Sequence, residues 1–205
     1  MSDWKKYPRT PHLPSSKSVQ SDDVIGSGLP LGSRVVITEK MDGENTTMYR
    51  DGVHARSLDS GHHQSRSVVK SIQAQIGHML PEGLRVTGEN MYAKHSIAYN
   101  ALPSFYLVFG AVQDDEFLSW DDTEALCASL GLVTVPVLYR GILTPETAAQ
   151  MVSGLDVSKQ EGFVLRPEDS FLESEFNTKV AKWVRPKHVQ TDVHWKKSWV
   201  PNSLA

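Results

Sequence analysis

Apolar positions recur at two different periods along the chain, and each change of period marks an element. Val35, Val36 and Ile37 lie in the short run Arg34–Glu39, which predicts a strand. Residues 45–50 and 53–57 flank Asp51-Gly52, a dipeptide suited to a two-residue hairpin turn, so two more strands should pair across it. From Ser65 to Leu80 the period lengthens. Val68, Val69, Ile72, Ile76 and Met79 fall at helical spacing and predict a helix. Runs at 84–89, 105–112 and 132–139 return to strand character. Residues 121–130 open with acidic side chains and end before Gly131, the start and stop signals of a helix. Thr144-Pro145-Glu146 starts another helix, with proline in the first turn, where its missing N–H costs little. Residues 161–166 and 180–184 read as late strands. Many short strands with a few helices between them predict an α+β domain of antiparallel sheets flanked by helices. Residues 1–33, rich in Pro, Ser and Gly and without periodicity, form an irregular N-terminal arm. The domain proper spans 34–188, and a basic, aromatic tail follows at 189–205.

The 205 residues suit one domain with a real core, and 40% hydrophobic with 22% charged residues is ordinary for a globular protein. No run approaches the roughly 18 apolar residues that span a bilayer, and Met1-Ser2-Asp3-Trp4-Lys5-Lys6 lacks the apolar core of a signal peptide. A single cysteine, Cys127, excludes an internal disulfide framework and suits a reducing cytoplasm, where the protein is expected. Cys127 itself falls on the apolar face of a helix and reads as inert core. The net charge of -3 does not advertise a nucleic-acid binder, since a non-specific coating protein is usually basic, but an enzyme that grips a few phosphates need not be.

The segment Glu39-Lys40-Met41-Asp42-Gly43-Glu44-Asn45 carries the strongest candidate chemistry. A lysine ends a strand, and a glycine three residues later permits a tight turn. Lysine attacks phosphorus only as the free amine. With an ordinary pKa near ~10.4, about one molecule in a thousand or fewer is neutral at pH 7. Nearby cations or a metal ion would lower that pKa. Lys-x-Asp-Gly alone is a short pattern, since Asp-Gly is a common turn. Its weight comes from the partners that follow in order.

Those partners resemble the motifs of the covalent nucleotidyltransferase superfamily, which comprises DNA ligases, RNA ligases and mRNA capping enzymes. Lys40-Met41-Asp42-Gly43 is similar to the family's nucleophile motif, and the following Asn45 resembles the form found in double-strand-sealing phage RNA ligases. Thr87-Gly88-Glu89-Asn90, Phe105-Tyr106-Leu107-Val108-Phe109-Gly110, Glu161-Gly162-Phe163-Val164-Leu165-Arg166 and Lys179-Val180-Ala181-Lys182-Trp183 resemble the later motifs. The likeness runs over residues 34–188, with the first and fourth motifs roughly 120 residues apart. It implies a nucleotidyltransferase α+β fold with a nucleotide cleft, and an ATP-dependent RNA ligase that carries AMP on Lys40. Glu39, Asn45, Arg56, Glu89, Phe109, Lys179 and Lys182 would bind the nucleotide. Within that set Glu89 holds the ribose, Phe109 rather than Phe105 stacks on the base, and Arg56 and Lys182 contact phosphate. Glu161 would coordinate Mg²⁺ or Mn²⁺, and Asp42 would either join it or shape the turn. Lys179 departs from the family's lysine spacing, and Lys182 fits it better by position.

The substrate implied is RNA with broken or nicked ends. The family's usual C-terminal domain has no counterpart after residue 188, which predicts that sealing needs grip from elsewhere, such as a partner protein. The open alternatives are a DNA ligase or a capping-type guanylyltransferase, and, in another class, an inactive nucleotide- or RNA-binding module. His62-His63 lies in a polar loop without a third zinc ligand and is placed to meet substrate phosphate. Tyr7-Pro8-Arg9-Thr10-Pro11-His12 is richly decorated for a tail and would touch pyrophosphate or RNA. Lys187, His188, His194, Lys196 and Lys197, interleaved with Trp195 and Trp199, suit single-stranded nucleic acid or a packed terminal segment.

Overall fold

Two antiparallel sheets, joined where the chain turns at Met41–Gly43, build the domain. The structure is a computed structural model that describes residues 4–16, 19, 23–26, 28–59, 61–186 and 199–205. The first sheet contains β1 (Arg34–Lys40), β8 (Val137–Ile142), β9 (Gly162–Pro167) and β11 (Ala181–Val184), in the order β11-β9-β1-β8. The second has β2 (Glu44–Tyr49), β3 (Gly52–Ala55), β4 (Leu84–Asn90), β5 (Tyr106–Gln113), β6 (Glu116–Phe117) and β10 (Phe171–Leu172), in the order β10-β6-β5-β4-β2-β3. A short β7 (Val133–Thr134) runs parallel beside β5.

Side chains alternate between the faces of a strand, and this alternation sorts β1, β9 and β11 into a core face and a cleft face. Val35, Ile37, Phe163, Leu165 and Trp183 pack with Met151, Val152 and Leu155 around α3 (Pro145–Gly154). The residues between them, among them Thr38, Lys40, Val164, Arg166 and Lys182, face a cleft between the sheets. α1 (Ser67–Ile76) and α2 (Trp120–Leu130) cover the second sheet through Val69, Ile76, Cys127 and Leu130, packed on Met48, Val86 and Tyr106. Cys127 is buried there, and burial pushes its thiol up to about 12, so it is inert core. Ser119 caps α2 by accepting from the Asp122 amide, and Gly131 ends it at φ 67°.

The expected fold class and most expected elements are present. The predicted helix over 65–80 is α1 with single 3₁₀ turns at Gln64–Arg66 and Gly77–Met79. The single strand expected over 132–139 is corrected to two. Pro136 separates β7, which pairs in one sheet, from β8, which pairs in the other. Proline cannot donate to a ladder, so the run breaks there.

The N-terminal arm is irregular but closely fitted. The Leu13 amide donates to the Lys182 carbonyl and the Lys182 amide to the Pro11 carbonyl, so the arm runs along the outer edge of β11. His12 is buried, with Nδ1 2.9 Å from Ser16 Oγ and Nε2 3.2 Å from Asp23. At the other end of the chain, Asn202 donates to the Met91 carbonyl and accepts from the Tyr99 amide, fastening residues 199–205 along 91–102. Among the described residues no helix is long and apolar enough to cross a membrane.

Candidate active site

Lys40 ends β1 opposite Gly162 of β9, and this register sets Glu161 beside it. Lys40 Nζ lies 2.5 Å from Glu161 Oε2, and the Glu161 side chain is only 7% exposed. After Lys40 the chain crosses to the other sheet within three residues. Gly43 has to be glycine. A Cβ there would lie 2.6 Å from the Asn90 carbonyl oxygen and 2.9 Å from Glu89 Cγ. The tight crossing lets the Gly43 amide donate to Glu89 Oε1 at 3.2 Å, and β2–β4 pairing sets Asn45 opposite Glu89. Asn45 Oδ1 is buried in the cleft wall with no hydrogen-bond partner among the described residues.

Lys40 is therefore ringed by carboxylates from its own turn and from two distant segments. Burial works against its ammonium form, but Glu161, Glu89 and Asp42 outweigh it, and the pKa is raised. This corrects the expectation that neighbouring cations lower it. The lysine whose pKa falls is Lys182, through burial and the nearby charge of Lys40. Burial pushes Glu89 up to about 8. Lys40 and the Gly43 amide oppose that rise, and Glu161 and Asp42 add to it.

The sign of the Glu89 shift gives a stability test. Its folded pKa of about 8 lies above the ordinary carboxyl value of 4.5. A carboxyl raised in the folded state contributes fully below the unfolded pKa, and its contribution is lost as pH rises through the folded value. The wild type should therefore lose stability relative to Glu89→Gln between about pH 4.5 and 8, by on the order of a few kcal/mol. Urea midpoints of both proteins at pH 5 and pH 8.5 check this. Parallel midpoints would refute it.

The rest of the cleft brings together cations and an aromatic. Arg56, Lys182 and Arg9 border it from β3's end, β11 and the arm, with Asp23 among them. Burial followed by Arg9 lowers the Arg56 pKa. Glu39 also borders the cleft, and its carboxylate accepts from Gln160 Nε2 at 2.9 Å while burial raises its pKa. Phe109 lines the cleft with Val135 and Val164, whereas Phe105 packs edge-on to Tyr92 at 5.0 Å.

A family model described as RNA ligase matches residues 33–184 of this sequence. The chain belongs to the RNA ligase family. Its fold is similar to that of the Naegleria gruberi RNA ligase (20% identity, TM-score 0.54, covering 75% of this chain and 50% of that one). An archaeal ATP-dependent RNA ligase is also similar, at 15% identity and TM-score 0.61 over 90% of this chain and 50% of the other. A structure of the Naegleria ligase with ATP and manganese matches at 19% identity and TM-score 0.52, over 78% and 52%. The chain thus spans about half the length of these structures. A comparison with curated proteins gave no match.

Within this RNA ligase fold, Lys40, Glu39, Asn45, Arg56, Glu89, Phe109, Lys182 and Glu161 converge on the cleft, Glu161 through its pairing with Lys40. Lys179 does not. It lies in the one-turn helix α4 (Phe176–Lys179), paired with Glu175 at 3.7 Å and outside the cleft lining. The chain is helical until Lys179 and turns extended at Val180, entering β11 at Ala181, so the two lysines project from different elements. Asp42 spends Oδ2 on the amides of Ser96 and Ile97, both at 2.7 Å, and its own amide donates to Tyr99 Oη at 3.2 Å. That geometry matches turn shaping, the second of its two expected roles. His63 Nδ1 accepts from the Ser65 amide at the start of a 3₁₀ turn, and His62 is exposed. Trp199 rests 5.3 Å from Tyr92. Lys187, His188, His194, Trp195, Lys196 and Lys197 lie outside the described residues. Sequence reasoning gave no site role to Thr38, Asp23 or Arg166. For Thr38 and Arg166 the available signal was strand alternation from Lys40 and from Val164.

Proposed function

We propose that this chain carries the nucleotidyl-transfer centre of an ATP-dependent RNA ligase. The observation that supports it best is the half-buried Lys40 amine beside Glu161, in a cleft also lined by Phe109, Arg56 and Lys182. Lys40 Nζ, once deprotonated, attacks the α-phosphorus of ATP. A P–N bond forms, the bond from α-phosphorus to the bridging oxygen breaks, and pyrophosphate leaves. The AMP then passes to a 5′-phosphate of RNA, breaking the P–N bond and forming a phosphoanhydride. A 3′-hydroxyl attacks that 5′-phosphate, AMP departs and the strand is sealed. Arg56 and Lys182 hold charge that spreads over the phosphoryl oxygens, the largest contribution in such transfers.

The donors fit a magnesium or manganese ion in chemistry. Glu161 and Glu89 offer carboxylate oxygens and Asn45 an unpartnered amide oxygen. Among the described residues no group of three His, Cys, Asp or Glu side chains could hold an ion unaided. Magnesium commonly completes its shell with water and substrate phosphates, and it would supply charge neutralisation at those phosphates. RNA ends and a protein partner that helps to grip them belong to the same proposal. A net charge of -3 leaves little general attraction for RNA.

Incubation with labelled ATP, followed by denaturing electrophoresis, tests the reading. Covalent label that needs a divalent metal and is not formed from GTP supports it. Failure to label, or preferential labelling by GTP, contradicts it. In the same assay Phe109→Ala should raise KM for ATP about tenfold or more, and Phe109→Tyr should change it little, since base–aromatic stacking is worth ~1–3 kcal/mol. Equal KM for the two variants would return Phe109 to a core role.

A further inference from the structure

Arg166 is 7% exposed, yet its Nε has no hydrogen-bond partner among the described residues. Nε is wholly buried and unpaired, and the group sits 5.5 Å from the centre of the Trp120 ring. A cation–π contact offsets only part of the cost of burying a charge. An arginine stays protonated at any working pH, so the fold keeps an uncompensated donor in place. Arg166 borders both the cleft and, with Trp120, a smaller cavity behind it, and Tyr7 lines both as well.

Its position along the cleft indicates what it meets. Arg166 pairs with Val36 and Gly162 with Lys40, so four residues of β1 separate the two levels, roughly 13 Å. A nucleotide bonded at Lys40 and lying along this face would extend its base toward Arg166. Val164, two residues nearer Lys40 on the same face, forms the slot with Phe109. The purine edge farthest from the sugar carries N1 and the group on C6, and a base in that slot turns this edge to Arg166. Tyr7 stands beside it. Its ring meets Phe109 edge-on at 5.2 Å and it lines the cleft. Burial pushes its hydroxyl up to about 12 while Arg166 acts in the opposite direction, so the phenol stays protonated next to the guanidinium.

We propose that Arg166 and Tyr7 read the outer edge of the nucleobase, Arg166 donating to N1 of adenine and the Tyr7 hydroxyl accepting from its exocyclic amine. Guanine presents N1–H at that place, a donor facing a donor. The assignment rests on the cleft being the ATP site, and it makes these two residues determinants of base choice.

Equilibrium binding of ATP, 1-deaza-ATP and GTP tests it, measured on the full chain with Lys40→Ala so that no covalent step intervenes. The Lys40→Ala protein should prefer ATP over 1-deaza-ATP by ~10- to 100-fold, the usual worth of a charge-assisted hydrogen bond. Adding Arg166→Met should weaken ATP by the same factor and erase the difference between ATP and 1-deaza-ATP. Adding Arg166→Lys should retain part of it. Adding Tyr7→Phe should weaken ATP severalfold while leaving the 1-deaza discrimination in place. Undiminished discrimination with Arg166→Met, none with arginine present, or tighter binding of GTP would overturn the proposal. The discrimination by the Arg166-containing protein decides the matter even if Arg166→Met fails to fold. Labelling of Lys40 in the otherwise unaltered chain separates the two readings. Binding as expected without labelling sinks only the ligase reading, and labelling without the expected discrimination sinks only this inference.

Discussion

Lys40→Ala and Lys40→Arg are both expected to abolish covalent adenylate formation, by ~10³-fold or more, because each removes the nucleophile. Alanine has no nitrogen. Arginine retains the charge that pairs with Glu161 across 2.5 Å, so it preserves the electrostatics of the site. Its guanidinium, with a pKa above ~12, does not supply a free nitrogen nucleophile. The arginine variant thus separates two roles that alanine removes together. If Lys40 served only to neutralise Glu161 and Glu89, arginine would keep much of the activity. The wild type should also label faster as pH rises above neutrality, since carboxylates hold the Lys40 pKa up and the free amine is scarce. The assay is gel quantification of labelled protein across pH. Arginine-variant label at wild-type level would remove Lys40 from the mechanism.

Glu161 should be the next most sensitive position. Glu161→Ala is expected to lower adenylation by ~10²-fold or more, in line with losses when groups supporting a metal are removed, and Glu161→Asp should keep a measurable fraction. Glu161→Gln is the informative variant, because two effects then oppose each other. Losing the carboxylate releases Lys40 from the largest influence that raises its pKa, so more free amine is present at neutral pH. Losing it also removes a hard anionic oxygen suited to magnesium or manganese. The account gives the second effect the larger weight, so the glutamine variant should be slow and need more metal to reach half its maximal rate. A glutamine variant faster than wild type at pH 7 would mean that Glu161 only restrains Lys40.

Much of the site was legible because its residues sit in short, ordered patterns. Lys40 and Gly43 share one turn, and the need for glycine there follows from the close approach of Asn90 and Glu89. Strand alternation in Val35–Lys40 already separates core from cleft residues. What stayed hidden depends on where distant segments meet. Glu89, Glu161 and Asp42 come from three separate stretches, so their joint effect on the Lys40 pKa has no local signal. Strand alternation puts Arg166 on the face of Val164, but a charged residue in sequence gives no hint that it is buried beside Trp120. Tyr7 reaches the cleft from an arm with no periodic pattern. β6 and β10 are two residues each, too short to show a period. Lys179 and Lys182 look like one motif until a helical turn ends between them.

The central claim is that AMP becomes covalently bound to the Lys40 side chain, and mass spectrometry tests it most directly. Intact protein incubated with ATP and magnesium should gain the mass of one AMP. That mass should disappear when the intact protein is treated briefly with pyrophosphate and magnesium, which reverses the transfer, and after digestion under conditions that preserve the phosphoramidate it should reside on the peptide containing Lys40. A gain of AMP on any other residue, or no gain with magnesium or manganese present, would contradict the account.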